Sequence, residues 1–159
     1  MTDVPADKSR TTATDEVAAL FRSHREPMAR LAYVLTNDAQ VSDEVVQDAF
    51  LKIHANWSRI QNPVAYLRIA VVNGCHSHHR HLRVERRTPD APPGSSQLGA
   101  NELADALAKL AYPRRAALAL RYFCDLDDFQ IAEILDCRPA TVRSRIARGL
   151  ADLRKEIPR

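Results

Sequence analysis

Apolar residues recur at steps of three and four along most of this chain, which is the spacing of one buried face of an α-helix. The clearest stripe lies near the C-terminus and comprises Val142, Ile146, Leu150, Leu153 and Ile157. No stretch alternates apolar and polar residues for long enough to predict a β-strand. The pattern therefore predicts an all-α protein.

Capping residues and prolines predict where the helices of the first half begin and end. We expect Pro27 to separate two helices, because proline interrupts a helix interior. Ser42 precedes the acidic, amphipathic segment 43–57 and is the expected cap of that helix. Asn62 and Pro63 suit the cap and the first turn of another helix.

Three consecutive signals predict a helix-turn-helix in the second half. Asp127, with Gln130 three residues later, can form a capping box at the start of a short helix. Asp136 tolerates the left-handed turn conformation, and Pro139 suits the first turn of the next helix. The second helix of such a motif lies in the major groove of DNA. The alternative is a plain helical hairpin with a basic outer side.

One break in composition divides the helical pattern into two small domains. The segment 88–100 contains three prolines, two glycines and two serines, which predicts a flexible linker. Residues 1–14 are polar and are expected to form a disordered tail. Residues 15–87 then form an N-terminal helical domain, and residues 101–159 form a C-terminal domain that carries the helix-turn-helix.

Charge is unevenly placed along the chain, although the net charge of the 159 residues is only +3. Residues 138–159 hold seven Lys and Arg against two acids, and residues 59–87 hold six Arg against one Glu. Between residues 41 and 57 three acids stand against one Lys. Two basic patches and one acidic patch indicate an anionic polymer and a protein as partners.

The last helix carries charge of one sign on its outer face. At about 100° per residue from Val142, the residues opposite the buried stripe are Thr141, Ser144 and Arg148. Arg143 and Arg145 lie on the flanks of the stripe. The first thirteen residues of this helix contain no acid. A plain solvated face usually interleaves Glu and Lys, so this face predicts contact with phosphates and base edges.

A second candidate surface lies on the acidic helix of segment 43–57. Its buried stripe would be Val46, Ala49, Phe50, Ile53 and Trp57. The outer face would then carry Glu44, Asp48 and Leu51, with Gln47 beside them. An apolar anchor with a polar rim is how protein interfaces are built, but an isolated surface Leu also occurs without any function. Both interpretations are consistent with the spacing.

Four clustered histidines raise the question of a metal site, namely His76, His78, His79 and His81. Pairs at i, i+3 on a helix can ligate a metal, but the cluster lacks a convincing arrangement of carboxylates or thiolates. We therefore expect these histidines to contact phosphates or water, and we expect neither a metal nor another cofactor. The three cysteines lack CxxC spacing, which predicts neither a disulfide framework nor a zinc finger.

Several functional classes lack their sequence signals. There is no Gly-rich phosphate loop, no GxSxG elbow and no HExxH motif, so we expect no enzymatic activity. No apolar run reaches the length that spans a bilayer, and the first fourteen residues lack the apolar region of a signal peptide. The expectation is a cytoplasmic protein without membrane insertion.

Three motifs, in this order, resemble those of a bacterial RNA polymerase sigma factor of the extracytoplasmic-function group. They are SDEVVQDAFLKIH, then NPVAYLRIAVVN followed by basic residues, then DLDDFQIAEILDCRPATVRSRIARGLADLRK. The resemblance runs from about residue 17 to residue 157, and TVRSR is its most specific piece. The chain departs from the family's usual residues at Tyr66, Ser77, Asp136 and Ala140.

The resemblance implies a role for each module. The acidic helix would dock on the clamp coiled coil of RNA polymerase, through Glu44, Gln47, Asp48 and Leu51. The next helix would melt the promoter and hold single-stranded DNA, through Asn62, Tyr66, Asn73, Arg80 and Arg83. The helix-turn-helix would read the upstream promoter element through Thr141, Arg143, Ser144 and Arg148, with Arg121 on the DNA backbone. The polymerase flap and an anti-sigma factor are further partners that the resemblance implies.

A different interpretation is a free-standing helix-turn-helix transcriptional regulator whose N-terminal module senses a ligand or a metal through the histidines. Such a regulator should bind operator DNA alone, typically as a dimer on a palindrome. A sigma factor should need the polymerase. A metal-dependent nuclease would require carboxylates clustered near the histidines, and the sequence does not show them.

Overall fold

The computed structural model describes residues 6–86 and 102–157, and the regular elements within these ranges are all helices. In chain order they are α1 (Ala6–Thr36), α2 (Ala39–Asn56), a 3₁₀ turn (Trp57–Arg59), α3 (Pro63–Arg86), α4 (Glu102–Ala108), α5 (Tyr112–Tyr122), α6 (Asp128–Leu135) and α7 (Pro139–Glu156). The predicted all-α class is confirmed, and the predicted linker 88–100 lies outside the described residues. Over the described ranges, no helix is long and apolar enough to cross a membrane.

The first three helices form the N-terminal module and pack around one apolar core. α1 contacts both α2 and α3, and α2 contacts α3. The fully buried side chains of this core include Leu31 and Leu35 from α1, Ile53 from α2, and Leu67 and Val71 from α3. Because the pairs on α1 and α3 are four residues apart, each helix buries one face and leaves the other to solvent.

α1 is one continuous helix of 31 residues, so the break expected at Pro27 is wrong. Proline removes one backbone N–H and crowds the carbonyl one turn earlier. Pro27 is exposed, which leaves that carbonyl on the solvent side, while Met28 and Leu31 are buried directly after it. Core packing therefore holds the helix through the proline. α1 also begins at Ala6, so residues 6–14 belong to this helix and not to a disordered tail.

Asp38, and not the expected Ser42, caps the N-terminus of α2. The Asp38 carboxylate accepts hydrogen bonds from the backbone N–H groups of Gln40 and Val41 at 3.0 and 3.1 Å. Ser42 is buried one turn inside the helix, where its hydroxyl donates to the Asp38 carbonyl at 2.7 Å. Both residue types favour caps. Asp38 takes the position because Asn37, with a φ of 53°, ends α1 directly before it.

The C-terminal module contains the predicted helix-turn-helix, formed by α6 and α7. The Asp127 side chain accepts from the backbone N–H of Gln130 at 2.8 Å, and the Gln130 side chain accepts from the backbone N–H of Asp127 at 3.0 Å. This is the predicted capping box. Asp136 adopts the predicted left-handed conformation with a φ of 50°, and Pro139 opens α7. The fully buried Val142 then anchors α7 to the module.

The two modules are in contact with each other. α4 and α5 pack against α1, and α5 and α6 pack against α3. α5 also contacts α6 and α7 within its own module. Because neighbours from both modules surround α5, most of its residues are buried.

Candidate nucleic-acid interface

The outer face of α7 carries the polar side chains that the helical periodicity places there. Arg143, Ser144 and Arg148 are exposed and Thr141 is half-buried, whereas Val142 is fully buried on the opposite side. The polar side of α7 is therefore exposed as predicted, but the predicted buried stripe is only partly correct, because Ile146, Leu150 and Leu153 are half-buried and Ile157 is exposed. Guanidinium and hydroxyl groups presented on an exposed helix can donate hydrogen bonds to phosphates and to base edges.

Asp128, in the first turn of α6, pairs with two of the arginines assigned to DNA binding. One of its carboxylate oxygens pairs with Arg121 of α5, and the other lies 3.2 Å from a guanidinium nitrogen of Arg143. The Arg143 side chain is 60% exposed and that of Arg121 is 32% exposed. Arg143 therefore remains accessible to a ligand, whereas Arg121 is less exposed and already shares its guanidinium with Asp128.

The sequence does not single out Asp128 as a site residue. An acid in the first turn of a helix is ordinary, because it interacts favourably with the helix dipole. Its partners Arg121 and Arg143 lie 7 and 15 residues away along the chain. Only the packing of α5, α6 and α7 against one another brings the three side chains together.

The acidic residues of α2 share one exposed face with an apolar residue. Glu44, Gln47 and Asp48 are exposed, as predicted. Leu51 is 67% exposed, which places a large apolar side chain in solvent beside two carboxylates and an amide.

An apolar hollow of about 490 Å³ opens between α1 and α2 beside this face. Its walls include Val17 and Phe21 from α1, and Phe50 and Leu51 from α2, with Gln47 at the same opening. A hollow of this kind can accept an apolar side chain of a partner, while the polar residues around it form a rim. The α1 wall could not be predicted, because the periodicity shows only that Val17 and Phe21 face inward and not that a gap remains between the helices.

The residues assigned to promoter melting lie mainly along one side of α3. Asn62 caps the helix by accepting a hydrogen bond from a first-turn N–H at 3.1 Å, and it lines an open hollow together with Tyr66. Asn73 and Arg80 follow Tyr66 at steps of seven residues, so the three share one helix face. The exposed Arg83 lies about 60° around the helix from Arg80.

Two of the four clustered histidines contact a tyrosine of the other module. The His76 ring stacks on Tyr112 with centroids 4.8 Å apart and an interplanar angle of 11°, and the His79 ring lies 5.3 Å from it at 30°. Burial, together with the charge of Arg80, lowers the pKa of His76. His76 and His79 therefore contact an aromatic ring of the other module, and their expected contact with phosphates or water stays a prediction. Within the described ranges, no three His, Cys, Asp or Glu residues gather in a way that could hold a metal ion.

All three cysteines are free thiols, as their spacing predicts, namely Cys75, Cys124 and Cys137. Cys75 is fully buried, with its sulfur 3.9 Å from the carbonyl oxygen of Ala32. Burial raises the pKa of Cys75 to about 12. Because a thiol must ionise to attack or to ligate, Cys75 is a packing residue.

Two family profiles match the chain, one on each module. The profile of sigma-70 region 2 matches residues 20–85, and that of sigma-70 region 4 matches residues 100–153. The first match contains α2 and nearly all of α3, and the second contains α6 and nearly all of α7.

Two bacterial proteins are similar to the chain over most of their length. It is 30% identical over 146 residues to the ECF RNA polymerase sigma factor SigM of Mycobacterium tuberculosis, which covers 84% of this chain and 73% of SigM. It is 27% identical over 152 residues to the RNA polymerase sigma-E factor of Streptomyces coelicolor, which covers 89% of this chain and 86% of that protein.

Two solved structures share the fold. The sigma factor RpoE from Bartonella quintana, solved in complex with the anti-sigma factor NepR, has a TM-score of 0.69 at 21% identity, covering 90% of this chain and 94% of RpoE. CnrH, solved in complex with the cytosolic domain of CnrY, has a TM-score of 0.70 at 20% identity, covering 94% of this chain and 92% of CnrH. At these identities the likeness concerns the arrangement of the helices.

Proposed function

Because this chain belongs to the extracytoplasmic-function group of the sigma-70 family, we propose that its two modules divide promoter recognition between the surfaces described above. As a sigma factor, it directs RNA polymerase to specific promoters for the initiation of transcription. In our proposal the C-terminal module reads the upstream promoter element, and the N-terminal module binds the polymerase core and holds the melted strand. The outer face of α7, with exposed arginines opposite the buried Val142, is the observation that carries the proposal.

α7 is the reading helix in this proposal. Arg143 and Ser144 lie in its N-terminal half, the part that meets base edges in a helix-turn-helix. A guanidinium can donate two hydrogen bonds to one guanine, which makes arginine the commonest specific contact in the major groove. Arg148 follows on the same exposed face, and Thr141 lies at its start. Asp128 supports the arrangement because it holds Arg143 beside the groove-facing side of the motif.

α2 is the polymerase-binding helix in this proposal. The hollow beside Leu51 would take an apolar side chain from the clamp coiled coil of the polymerase, and Glu44, Gln47 and Asp48 would fix the register through polar contacts at its rim. Interface energy is concentrated in such central anchors, while charges at the rim control the rate of association and the choice of partner.

α3 is the strand-holding helix in this proposal. Unpairing and flipping a base costs a few kcal/mol, and stacking on an aromatic side chain returns about 1–3 kcal/mol per base. Tyr66, beside Asn62 in an open hollow, provides such a surface. Arg80 and Arg83, exposed further along α3, would follow the phosphates of the same strand.

Three further properties belong to the proposal. Both structural neighbours were solved with a bound protein, named as an anti-sigma factor in the case of NepR, and we infer that this chain is also held by an anti-sigma factor. We infer that the C-terminal module contacts the polymerase flap. Finally, sigma factors are initiation factors, so we infer that this chain acts in the cytoplasm without a catalytic activity or a cofactor of its own.

A reconstituted transcription assay tests this proposal. Core polymerase, the full chain and a library of genomic fragments should yield transcripts that share two promoter elements. Gln47→Ala combined with Asp48→Lys should abolish co-purification with the core at unchanged melting temperature, since a charge reversal in an interface can cost several kcal/mol. Asp15→Lys, an exposed reversal on α1 outside the hollow's lining, is the matched control and should bind normally.

The same assay separates the sigma factor from a free-standing regulator, which the family matches do not favour. A regulator would bind a palindromic site tightly without polymerase and would add no new start sites to the core enzyme. If the Gln47→Ala and Asp48→Lys variant still binds the core enzyme, α2 does not form the polymerase-docking surface.

A further inference from the structure

The connector between α2 and α3, residues 57–62, is tied to helices at both of its ends. At the α3 end, Asn62 caps the helix by accepting from a first-turn backbone N–H at 3.1 Å. At the α2 end, the indole N–H of Trp57 donates to a carboxylate oxygen of Glu16 in α1 at 3.0 Å. The Trp57 carbonyl accepts from the backbone N–H of Ile60 at 3.3 Å, which closes the 3₁₀ turn. Glu16 therefore holds this turn through one side chain of the connector.

The same connector forms part of the hollow that the proposed function assigns to the melted strand, here called the Tyr66 hollow. The hollow has a volume of about 490 Å³. The connector contributes Arg59, Ile60 and Gln61 to its lining, and α3 contributes Tyr66 and Ile69. Aromatic and aliphatic side chains can cover the faces of an unstacked base, and an amide can hydrogen-bond to its edge. A movement of the 3₁₀ turn would therefore change the shape of this binding site.

Neither electrostatics nor folding stability gives Glu16 a role at this position. A carboxylate near a DNA site opposes binding, because affinity depends on neutralising phosphates with cations. Glu16 is exposed, and both partners of its hydrogen bond can bond to water when the contact is lost, so the net contribution to folding is small. Glu16 also precedes residue 20, where the match to sigma-70 region 2 begins, whereas Trp57 lies within that match. The consequence that remains is the position that the contact gives to the turn.

We propose that Glu16 is a positioning residue for the Tyr66 hollow, which acts by holding Trp57 and thereby fixing the connector that lines the hollow. The ligand of the hollow is one unstacked base of single-stranded DNA, with Arg59 beside the phosphates of the same strand. This inference rests on the proposed function of α3. A wall that is already in place avoids the entropic cost of ordering the connector when the base enters. Glu16 therefore raises affinity for the melted strand without touching DNA.

The fluorescence of one tryptophan tests the contact in the free, full-length chain. Trp57 is the single tryptophan among the 159 residues, so its emission reports on the turn alone. Glu16→Ala should increase quenching of Trp57 by acrylamide at an unchanged melting temperature. Glu16→Gln, whose amide oxygen still accepts from the indole N–H, should match the parent protein, and so should Asp15→Ala, the neighbouring exposed acid. Equal quenching of the parent and of Glu16→Ala overturns the proposal.

Binding of fork-junction DNA tests whether the contact matters for the strand. The full chain with core polymerase would be titrated with a promoter recovered in the transcription assay, prepared once as a duplex and once with a single-stranded overhang over its downstream element. Glu16→Ala, and separately Trp57→Phe, which lacks the N–H, should weaken binding of the overhang DNA roughly threefold to tenfold, as expected for one lost hydrogen bond. Binding of the duplex and of the core should not change. The double variant should bind like either single variant, because both changes remove the same bond.

The sign of the Glu16→Ala effect separates positioning from charge. If Glu16 acted only through its charge, Glu16→Ala and Glu16→Gln would both tighten binding of the overhang, and that result overturns the proposal. In the positioning role, Glu16→Gln should bind within about twofold of the parent, because it keeps the hydrogen bond. Asp15→Ala is the matched control and should bind the overhang at least as tightly as the parent.

An abasic nucleotide, moved one position at a time along the overhang, locates the base that the hollow holds. At that position the loss caused by Glu16→Ala should disappear, since no base remains to be held. An equal loss at every abasic position overturns the proposal. If the parent protein with polymerase gains nothing from the overhang, the strand-holding function of α3 fails and this inference fails with it, whereas a gain in the parent that Glu16→Ala retains in full overturns the inference alone.

Discussion

The pairing of Asp128 with two arginines predicts that Asp128→Ala weakens the helix-turn-helix by about 2 kcal/mol. The bridge to Arg143 contributes a few tenths of a kcal/mol, because that side chain is 60% exposed and exposed ion pairs are screened. The bridge to Arg121 lies between side chains that are 32% and 21% exposed. Its loss would leave a half-buried guanidinium without its carboxylate, a change that costs about 1–3 kcal/mol.

A double-mutant cycle isolates the larger of the two contributions. Asp128→Ala, Arg121→Ala and the double variant would be compared by urea unfolding, and by hydrogen exchange of the α6 and α7 peptides, which reports this module alone. We expect a coupling energy near 1 kcal/mol, since neighbouring charged groups in one network are not additive. Glu133→Ala, an exposed acid on the same helix, is the control and should change stability by less than about 0.5 kcal/mol.

The same variant should also change DNA binding. Removing Asp128 deletes a negative charge beside Arg143, so affinity for DNA of any sequence should rise and its salt dependence should steepen by about one ion. Discrimination between promoters should fall, because Arg143 loses the partner that orients it. A coupling energy below about 0.3 kcal/mol, together with unaltered DNA binding, would refute the assigned role of Asp128.

Three further outcomes depend on single side chains. Arg148→Ala should weaken binding at a cognate upstream element by about 1–3 kcal/mol and relax its specificity, as measured by transcription from mutated promoters. Lys155→Ala should lower only the salt dependence of DNA binding. If wild type and Arg148→Ala discriminate the promoters equally, Arg148 is a phosphate contact and does not read bases. Burial and the charge of Arg80 lower the pKa of His76, so the packing of His76 against Tyr112 should be favoured above the ordinary histidine pKa of about 6.5 and weaken as the pH falls below it. NMR titration should show this pKa rising in Arg80→Ala, and an unchanged titration would contradict the assignment. With a pKa of about 12, Cys75 should resist iodoacetamide at pH 8 until the protein unfolds, and rapid labelling of the native protein would disprove its burial.

The parts of the fold that the sequence predicts correctly depend on local chemistry. The capping box of Asp127 and Gln130 and the left-handed turn at Asp136 each involve groups within a few residues of one another. The error at Ser42 has the same origin, because Ser42 and Asp38 are both good caps by residue type, and only the end of α1 at Asn37 decides between them.

The features that the sequence does not predict depend on distant partners. Arg115 donates to the Leu35 carbonyl 80 residues away, and the Tyr112 hydroxyl donates to a carbonyl 40 residues away. Their acceptors are backbone oxygens, which every residue carries, so no residue type marks them in the sequence. The continuity of α1 through Pro27 belongs to the same class, since it depends on core contacts made after the proline.

In the proposed function, α7 serves DNA recognition in its N-terminal half and stability at its C-terminal end. Its two acids lie in the last five residues, where Asp152 pairs with Arg114 and Glu156 lies 3.0 Å from the Lys109 ammonium. These acids therefore neutralise cations of α5 and of the turn after α4, and not the arginines of the outer face. Arg148 is exposed at the middle of α7, and Arg143, nearer its start, pairs with the Asp128 carboxylate. Under the proposed function, the N-terminal half of α7 thus keeps its positive charge for phosphates and base edges, while the acids near its C-terminus hold α7 to its own module.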